Sequence, residues 1–260
     1  MKMDSDHNTI YQAIVRPPGL AFKDALTSLD LGMPNLSMAV GQHEAYVRAI
    51  ERCGVNVRVL ETDEFPDSTF VEDVAICTHD CAIITRPGAE SRMGEIDSIG
   101  HLLVDYYDQI LQIETPGTLD GGDVLDINGH YYIGISARTN EAGADQLIQI
   151  LNNFGMTGEK VVFPAFLHLK SGISWLDNDT VLLANQFAGL QQFRSFNRMV
   201  LTKENAYAAN SILVNGTIIT PAGFPDVLEK LNHPGQNIIE LEMSEFQKVD
   251  GGLSCLSLRF

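Results

Sequence analysis

The feature that most constrains the fold is a hairpin pattern that recurs along the chain. Each occurrence is an apolar strand, a short turn and a second apolar strand. The four occurrences span Val71–Arg86, Gly122–Gly134, Ser171–Ala184 and Asn210–Thr220. Two of the turns carry Asn-Gly, at Asn128 and Asn215, which is the strongest short-range signal for a two-residue hairpin loop. A period of about 40 to 50 residues is typical of solenoids, propellers and other repeat architectures.

Between the hairpins lie segments with apolar residues at helical spacing, and each is followed by another strand candidate. The predicted helices are Arg92–His101, Asn140–Phe154 and Phe224–Leu231, and the strands after them include Lys160–Phe163 and Asn237–Leu241. Ahead of the first hairpin, we predict a strand at Thr9–Arg16, a helix at Pro34–Cys53 ended by Gly54, and a strand at Val55–Leu60. Within that helix, His43 lies in a polar run and is predicted to face solvent.

The C-terminal run Asp250–Phe260 occupies the place of a fifth hairpin but supplies only one strand. Its leucines and Phe260 need burial, so we expect a docked strand with Cys255 at its rim, beside a Gly pair that admits a close neighbour. The strand at Thr9–Arg16 is available to pair with it, close the ring and remove an open sheet edge. The prediction is one α/β domain over residues 1–260, built from pseudo-fivefold ββαβ repeats without a linker.

The charge and composition exclude several classes of protein. A net charge of −17 argues against a nucleic-acid partner and is compatible with a cationic small substrate, although acidic surfaces also serve solubility. No apolar run reaches membrane-spanning length and no signal peptide is recognisable, so we expect no membrane association. Four cysteines without a secretory segment predict free thiols and a cytoplasmic location. The Cys77–Cys81 segment has the composition of a metal cluster, but its position across a hairpin turn disfavours zinc.

The starts of the repeated hairpins are expected to face one centre, and they carry polar groups that a strand does not need. These residues are Glu72, Asp73, Asp120, Asp123, His168, Lys170, Asn210 and Cys255. Each alone has a structural interpretation, such as a turn aspartate, a core histidine or an inert buried cysteine. Their recurrence at one phase of the repeat favours a shared site.

The residue types at this centre indicate a definite chemistry. A thiol becomes nucleophilic as a thiolate, which a nearby histidine or a cationic substrate promotes. A carboxylate beside His168 would orient it and raise its pKa, as a general acid and base requires. Converging carboxylates match a guanidinium group, so we predict a guanidinium pocket with Cys255 aimed at the carbon. Arg92 and Arg138, just beyond two hairpins, are candidates to grip a carboxylate, or are ordinary surface arginines.

Six separated motifs resemble, in order, those of the dimethylarginine dimethylaminohydrolase family, especially its bacterial forms. They lie at Phe65–Asp73, Ile84–Arg92, Gly117–Asp123, Ile135–Asn140, Leu167–Ser171 and Lys248–Cys255. The family belongs to the guanidine-modifying superfamily, so the resemblance implies the pentein fold, a five-bladed α/β propeller. Met93 stands where a second arginine is common in the family.

The resemblance implies hydrolysis of Nω-methylated L-arginines to citrulline and dimethylamine or methylamine. Cys255 would attack the guanidinium carbon and form a covalent thiouronium intermediate. His168 would protonate the leaving amine and then activate water, oriented by Asp120 where some bacterial members carry Glu. The implied substrate contacts are Asp73 and Glu72 (guanidinium and ammonium), Asp67 (ammonium), Arg92 and Arg138 (carboxylate), Leu26 (a mobile covering loop) and Val249 (backbone). No cofactor is implied, and zinc would at most inhibit at the thiol.

Two alternatives remain open from the sequence. One is action on another guanidino compound, such as free arginine in the manner of arginine deiminase, although those relatives have an inserted helical domain that this chain lacks. The other is a non-catalytic pentein, similar to ribosome-binding initiation factors. The resemblance also leaves the oligomeric state open between a monomer and a homodimer.

Overall fold

The computed structural model describes residues 9–164, 166–176 and 179–260. The first eight residues of the predicted domain, and residues 177 and 178 in the turn of the third predicted hairpin, lie outside the described residues. Within the described ranges the chain forms five three-stranded sheets. No helix in that part of the chain is both long enough and apolar enough to cross a membrane.

The five sheets follow one pairing scheme, in which the middle strand is antiparallel to one neighbour and parallel to the other. The strands are β1 (Gln12–Val15), β2 (Asn56–Val59), β3 (Ala75–Cys77), β4 (Ala82–Ile84), β5 (Ile110–Gln112), β6 (Val124–Ile127), β7 (His130–Ile135), β8 (Thr157–Val162), β9 (Ile173–Trp175), β10 (Thr180–Ala184), β11 (Asn197–Leu201), β12 (Ile212–Val214), β13 (Thr217–Pro221), β14 (Asn237–Leu241) and β15 (Leu258–Arg259). Strand β4, for example, is antiparallel to β3 and parallel to β5. A hairpin followed by a crossover to a third strand is the repeat that the sequence predicts.

One sheet is built from both ends of the chain. Its middle strand β1 is antiparallel to β15, with Ile14 opposite Leu258, and parallel to β2. The backbone N–H of Gln12 also donates to the carbonyl of Phe260 at 2.7 Å. The predicted pairing of the two chain ends is therefore confirmed. The expectation that it removes a sheet edge is wrong, because β15 and β2 remain the two edges of an open sheet.

Four α-helices connect the parallel strands of four sheets, and a fifth, short one precedes the C-terminal segment. They are α1 (Leu36–Arg52), α2 (Ile96–Leu103), α3 (Glu141–Asn153), α4 (Pro225–Leu231) and α5 (Ser244–Gln247). Between β10 and β11 the connection is made instead by 3-10 turns at Asn185–Phe187 and Gln191–Phe193. Phe187 and Phe193 of these turns are fully buried. The predicted ββαβ unit is therefore not uniform, since this repeat has 3-10 turns in place of the α-helix.

Helix α1 begins and ends where its sequence predicts, but the predicted exposure of His43 is wrong. The Asn35 side chain caps the first turn by accepting from Met38 N at 3.0 Å, and Gly54 takes the left-handed conformation at φ +83°. His43 is only 2% exposed. It lies four residues after Ala39 and three before Tyr46, which places it on the buried stripe of the helix.

The C-terminal segment also differs from the prediction of a continuous strand. Cys255 lies in a 3-10 turn, Ser254–Leu256, and the strand that follows has two residues. Leu253 and Leu256 are three residues apart, which is the period of a 3-10 turn, and the two-residue alternation of a strand starts only at Leu256. The cysteine is therefore presented by a turn and not by a strand rim.

In every sheet, a 3-10 turn precedes the strand that pairs antiparallel with the middle strand. The five turns are Val71–Val74, Gly121–Asp123, Leu169–Ser171, Ala206–Ala209 and Ser254–Leu256. Contacts run between successive turns around the middle of the ring. The hairpin starts therefore converge on one centre, as the recurring polar residues predict.

Candidate active site

A cavity of about 200 Å³ opens at this centre. The predicted site residues that line it are Leu26, Asp67, Asp73, Arg92, Arg138, His168, Val249 and Cys255. Glu72 and Asp120 do not line it. A second cavity of about 350 Å³, bordered by Met199, Ile218 and Leu231, holds none of the predicted site residues.

Cys255 is 9% exposed and lines the cavity. Burial raises the pKa of this thiol to about 12, and the charges of Glu72 and Asp73 add to the effect. The thiol is thus protonated at neutral pH. The preceding Gly pair is required by close neighbours, since a Cβ on Gly251 would lie 2.5 Å from a ring carbon of Phe70.

His168 stands at the start of the Leu169–Ser171 turn, with its ring 4% exposed. Its Nε2 lies 3.0 Å from Asp120 Oδ2, and its Nδ1 lies 3.9 Å from Asp73 Oδ1. Burial would lower the pKa of His168, but the carboxylates of Asp73, Asp120 and Asp123 outweigh burial and raise it to about 9. The imidazole is therefore cationic at neutral pH, as a general acid requires.

Asp120 is fully buried behind the histidine and is fixed from several sides. Its Oδ1 accepts from Gly88 N at 2.8 Å, and its own backbone N–H donates to Thr139 Oγ1 at 3.1 Å. Arg138 Nη1 lies 3.8 Å from its second carboxylate oxygen. Because Asp120 is held in this way, it can fix the orientation of the His168 ring.

Asp73 presents an ionised carboxylate beside the histidine. Burial opposes its ionisation, but the positive charges of His168 and Arg92 lower the pKa of Asp73 to about 2. Gly122 N donates to its Oδ1 at 2.8 Å and Arg92 Nη1 donates to its Oδ2. A cation that enters the cavity therefore meets a fixed negative charge.

The two candidate arginines differ in how many of their donors are engaged. Arg92 is 3% exposed, and its N–H groups reach Asp73, the carboxylate of Glu95 at 2.8 to 3.1 Å and the carbonyl of Phe70 at 3.0 Å. The Arg138 side chain is 19% exposed and also lines the cavity. In this structure Arg138 is the arginine better placed to receive a substrate carboxylate.

A segment over the cavity mouth is held by two carboxylates. Leu26, 40% exposed, donates its backbone N–H to Asp67 Oδ1 at 3.1 Å, and Ser28 N donates to Asp250 Oδ2 at 2.6 Å. Burial raises the pKa of Asp67. Asp250, at φ +57°, was missed from the sequence because an aspartate before Gly-Gly indicates only a turn.

The Glu72 carboxylate is not part of the cavity lining. Its carboxylate accepts from Lys170 Nζ at 2.6 Å and from Ser254 Oγ at 2.8 Å. Both oxygens of the Glu72 carboxylate therefore already have protein partners, and the predicted direct contact of Glu72 with the substrate stays a prediction.

Comparison with known proteins identifies the family. A family model described as N,N dimethylarginine dimethylhydrolase, eukaryotic, matches residues 33–191. The chain is 46% identical over 249 residues to an N(G),N(G)-dimethylarginine dimethylaminohydrolase of Pseudomonas aeruginosa, covering 95% of this chain and 98% of that one. The chain belongs to the dimethylarginine dimethylaminohydrolase family. A Streptomyces coelicolor protein of the same name is 32% identical over 95% of this chain and 96% of its own.

Solved structures agree with this assignment. A mutant of the Pseudomonas aeruginosa dimethylarginine dimethylaminohydrolase in complex with citrulline superposes with a TM-score of 0.95 and 45% identity, covering 97% of this chain and 100% of that chain. The N-terminal domain of a cyanobacterial arginine dihydrolase has a TM-score of 0.85 at 18% identity, covering 97% of each chain. This second likeness concerns the fold alone, which is the pentein fold of five α/β repeats.

Three donors of the candidate site, on Asp73, Asp120 and His168, lie within 4.8 Å of one another. These distances would allow the three groups to bind a metal ion. In this structure, however, His168 is hydrogen-bonded to Asp120, and Asp73 accepts from Arg92. The carboxylates are therefore already neutralised by the positive charges of His168 and Arg92.

Proposed function

We propose that this chain hydrolyses Nω-methylated L-arginines, with asymmetric dimethylarginine and monomethylarginine giving L-citrulline and dimethylamine or methylamine. The observation that carries the proposal is the lining of one cavity by a cysteine, a cationic histidine and an ionised aspartate. The names of the relatives support it, since two curated relatives are dimethylarginine dimethylaminohydrolases.

Substrate recognition follows from the charges of the lining. Asp73 would hold the guanidinium group, because a delocalised cation compensates a buried carboxylate. Arg138, and Arg92 after a shift of its bonds, would bind the substrate carboxylate. Asp67, the Val249 backbone and the segment of Leu26 would receive the ammonium group. Glu72 would act through Ser254 and not by direct contact in the conformation described here.

In the first half-reaction, the bound guanidinium lowers the cost of ionising Cys255 by placing a positive charge beside it, and the thiol proton passes to solvent because His168 is already protonated. The thiolate sulfur forms a bond to the guanidinium carbon and the His168 imidazolium gives its proton to the methylated nitrogen. The bond from carbon to that nitrogen then breaks. The amine leaves, and a cationic thiouronium remains on Cys255.

In the second half-reaction, neutral His168 takes a proton from water as the water oxygen bonds to the same carbon. The tetrahedral adduct then breaks its carbon–sulfur bond. Citrulline forms with loss of the hydroxyl proton, and the thiol and imidazolium are regenerated. Asp120 keeps the imidazole aligned through both proton transfers.

The wider properties of the chain are also part of the proposal. The chain acts as one catalytic domain over residues 1–260, a reading supported by the pairing of β1 with β15. A cytoplasmic location is supported by four free cysteines. A homodimer is supported by exposed apolar side chains on outer strands, Val59 and Val162.

The test is a substrate comparison in which citrulline and the released amine are both measured. Asymmetric dimethylarginine, monomethylarginine and free arginine are supplied at equal concentration. We expect equal amounts of citrulline and methylated amine from the first two and a much slower release of ammonia from arginine. Faster hydrolysis of arginine would replace this proposal with the deiminase alternative.

A further inference from the structure

Behind the nucleophile, four polar residues form a closed circuit of hydrogen bonds, and none of them lines the cavity. They are Glu72, Lys170, Asn210 and Ser254. Lys170 Nζ donates to Glu72 at 2.6 Å, and Ser254 Oγ donates to the other oxygen of that carboxylate at 2.8 Å. Asn210 Nδ2 donates to Ser254 Oγ at 2.9 Å and to the carbonyl of Lys170 at 2.8 Å.

Each member of the circuit comes from a different sheet repeat. Glu72 lies in the turn before β3, Lys170 in the turn before β9, Asn210 directly after the turn before β12, and Ser254 in the turn that carries Cys255. The circuit therefore ties three hairpin starts to the C-terminal turn. A buried network with all its members bonded rigidifies its surroundings.

Asn210 is the residue that holds the nucleophile's turn most directly. It is 4% exposed, and its Oδ1 accepts from Ser254 N at 2.9 Å while its Nδ2 donates to Ser254 Oγ. Both the backbone and the side chain of Ser254 are thus bonded to one amide. A Cβ on Gly252 would lie 2.4 Å from Asn210 Oδ1, so the glycine at this position admits the amide.

We propose that Asn210 is a positioning residue for the reaction, which fixes Cys255 through the two-point hold on Ser254. This inference rests on the proposed function, in which Cys255 is the nucleophile. Ser254 directly precedes Cys255, and its Oγ lies 4.0 Å from the thiol sulfur. A small displacement of a reacting atom can cost about 100-fold in rate, and the hold on Ser254 prevents such a displacement.

The charges around the thiol stay the same when Asn210 is changed. Glu72 and Asp73 face Cys255 from the turn before β3, and His168 lines the same cavity. The other facing groups are the Tyr207 phenol, the Arg259 guanidinium on β15 and Lys170 through Glu72. Since Asn210 is neutral, its loss should slow the reaction of the thiol without moving the midpoint of its pH dependence.

The test measures alkylation of Cys255 by a haloamidine, together with kcat and KM for dimethylarginine. Asn210→Ala is expected to lower kcat and the alkylation rate about 10- to 100-fold, with KM within about twofold and an unchanged pH midpoint. Ser254→Ala, which removes the hydroxyl and leaves the backbone bond, should show part of the loss, and Ser254→Thr should restore it. If Asn210→Ala fails to fold, the comparison of Ser254→Ala with Ser254→Thr still tests whether the bonds to Ser254 position Cys255.

The matched control is Asn215→Ala. Asn215 also makes three side-chain hydrogen bonds, to the N–H and carbonyl of Ile10 and to the carbonyl of Cys53, but on the exposed outer side. Its loss should lower the melting temperature without slowing alkylation. If Asn210→Ala or Ser254→Ala alkylates at the wild-type rate, the inference is wrong. If wild-type Cys255 is not alkylated, the proposed function fails instead.

Discussion

Replacing Asp120 by Asn tests how His168 is held in its acid form. Asn has nearly the same shape, but it removes a buried charge 3.0 Å from Nε2 and places its N–H₂ group against one of two donors, the Gly88 N–H or His168 Nε2. A hydrogen bond to a charged group contributes about 1.5–3 kcal/mol. At about 1.4 kcal/mol per pKa unit, the loss corresponds to a fall of about one to two units from the pKa of about 9.

At pH 7.5 this change removes much of the imidazolium population and also disorders the ring. We expect kcat for dimethylarginine to fall about 10- to 100-fold, since general acid catalysis is worth about that much or more. The assays are the pH profile of kcat and an NMR titration of the His168 ring in Cys255→Ser protein, which cannot turn over.

The control for this change is Thr139→Val. Thr139 is fully buried and accepts from Asp120 N at 3.1 Å, so the substitution disturbs the same packing without removing a charge. Its imidazole midpoint should stay within a few tenths of a unit of the wild type. A wild-type midpoint in Asp120→Asn would refute the electrostatic reasoning.

Three further results are expected. Arg138→Ala should raise KM about 10- to 100-fold and leave kcat nearly unchanged, because the substrate carboxylate loses one charged hydrogen-bonding partner. An unchanged KM would show that Arg138 does not contact the substrate. Because the folded pKa of His168 is raised from 6.5 to about 9, its stabilisation is complete below pH 6.5 and is lost as the pH rises through 9. Urea unfolding should then show a loss of up to about 3 kcal/mol; no loss over this window would contradict the raised pKa. Deleting residues 256–260 removes buried Leu256 and Leu258 and should lower the melting temperature by several degrees or more; an unchanged value would show that the chain end does not support the ring.

The fold was predictable because its signals are local and repeated. Asn-Gly turns and helix caps act within a few residues, so the hairpins, α1 and the pairing of β1 with β15 follow from the sequence. The ββαβ repeat predicted from the sequence does not indicate that the unit of β9–β11 lacks an α-helix, where 3-10 turns with the buried Phe187 and Phe193 make the connection. The polar neighbours of His43 indicate exposure, but the helical period places its side chain on the buried face of α1.

The sequence predicts most of the residues that line the cavity, but not which of the converging polar groups, such as Glu72 and Asn210, lie behind it. The spacing of the repeats brings Cys255, His168 and Asp73 to one centre, and this holds whatever the side-chain conformations are. The partners of Glu72 and Arg92 could not be predicted, since they depend on Lys170 and Glu95 competing for each charge in three dimensions. Such pairings are set by tertiary distances that no local pattern records.

The central claim is that Cys255 forms the covalent intermediate, and mass spectrometry of the protein during turnover tests it directly. The reaction is quenched in acid while the enzyme hydrolyses dimethylarginine. The masses of the intact protein and of its proteolytic peptides are then measured. We predict an adduct on the peptide that carries Cys255, absent from Cys255→Ser protein, which releases no citrulline. An adduct on Cys53, Cys77 or Cys81 during turnover, or citrulline release by Cys255→Ala protein at the wild-type rate, would contradict the account.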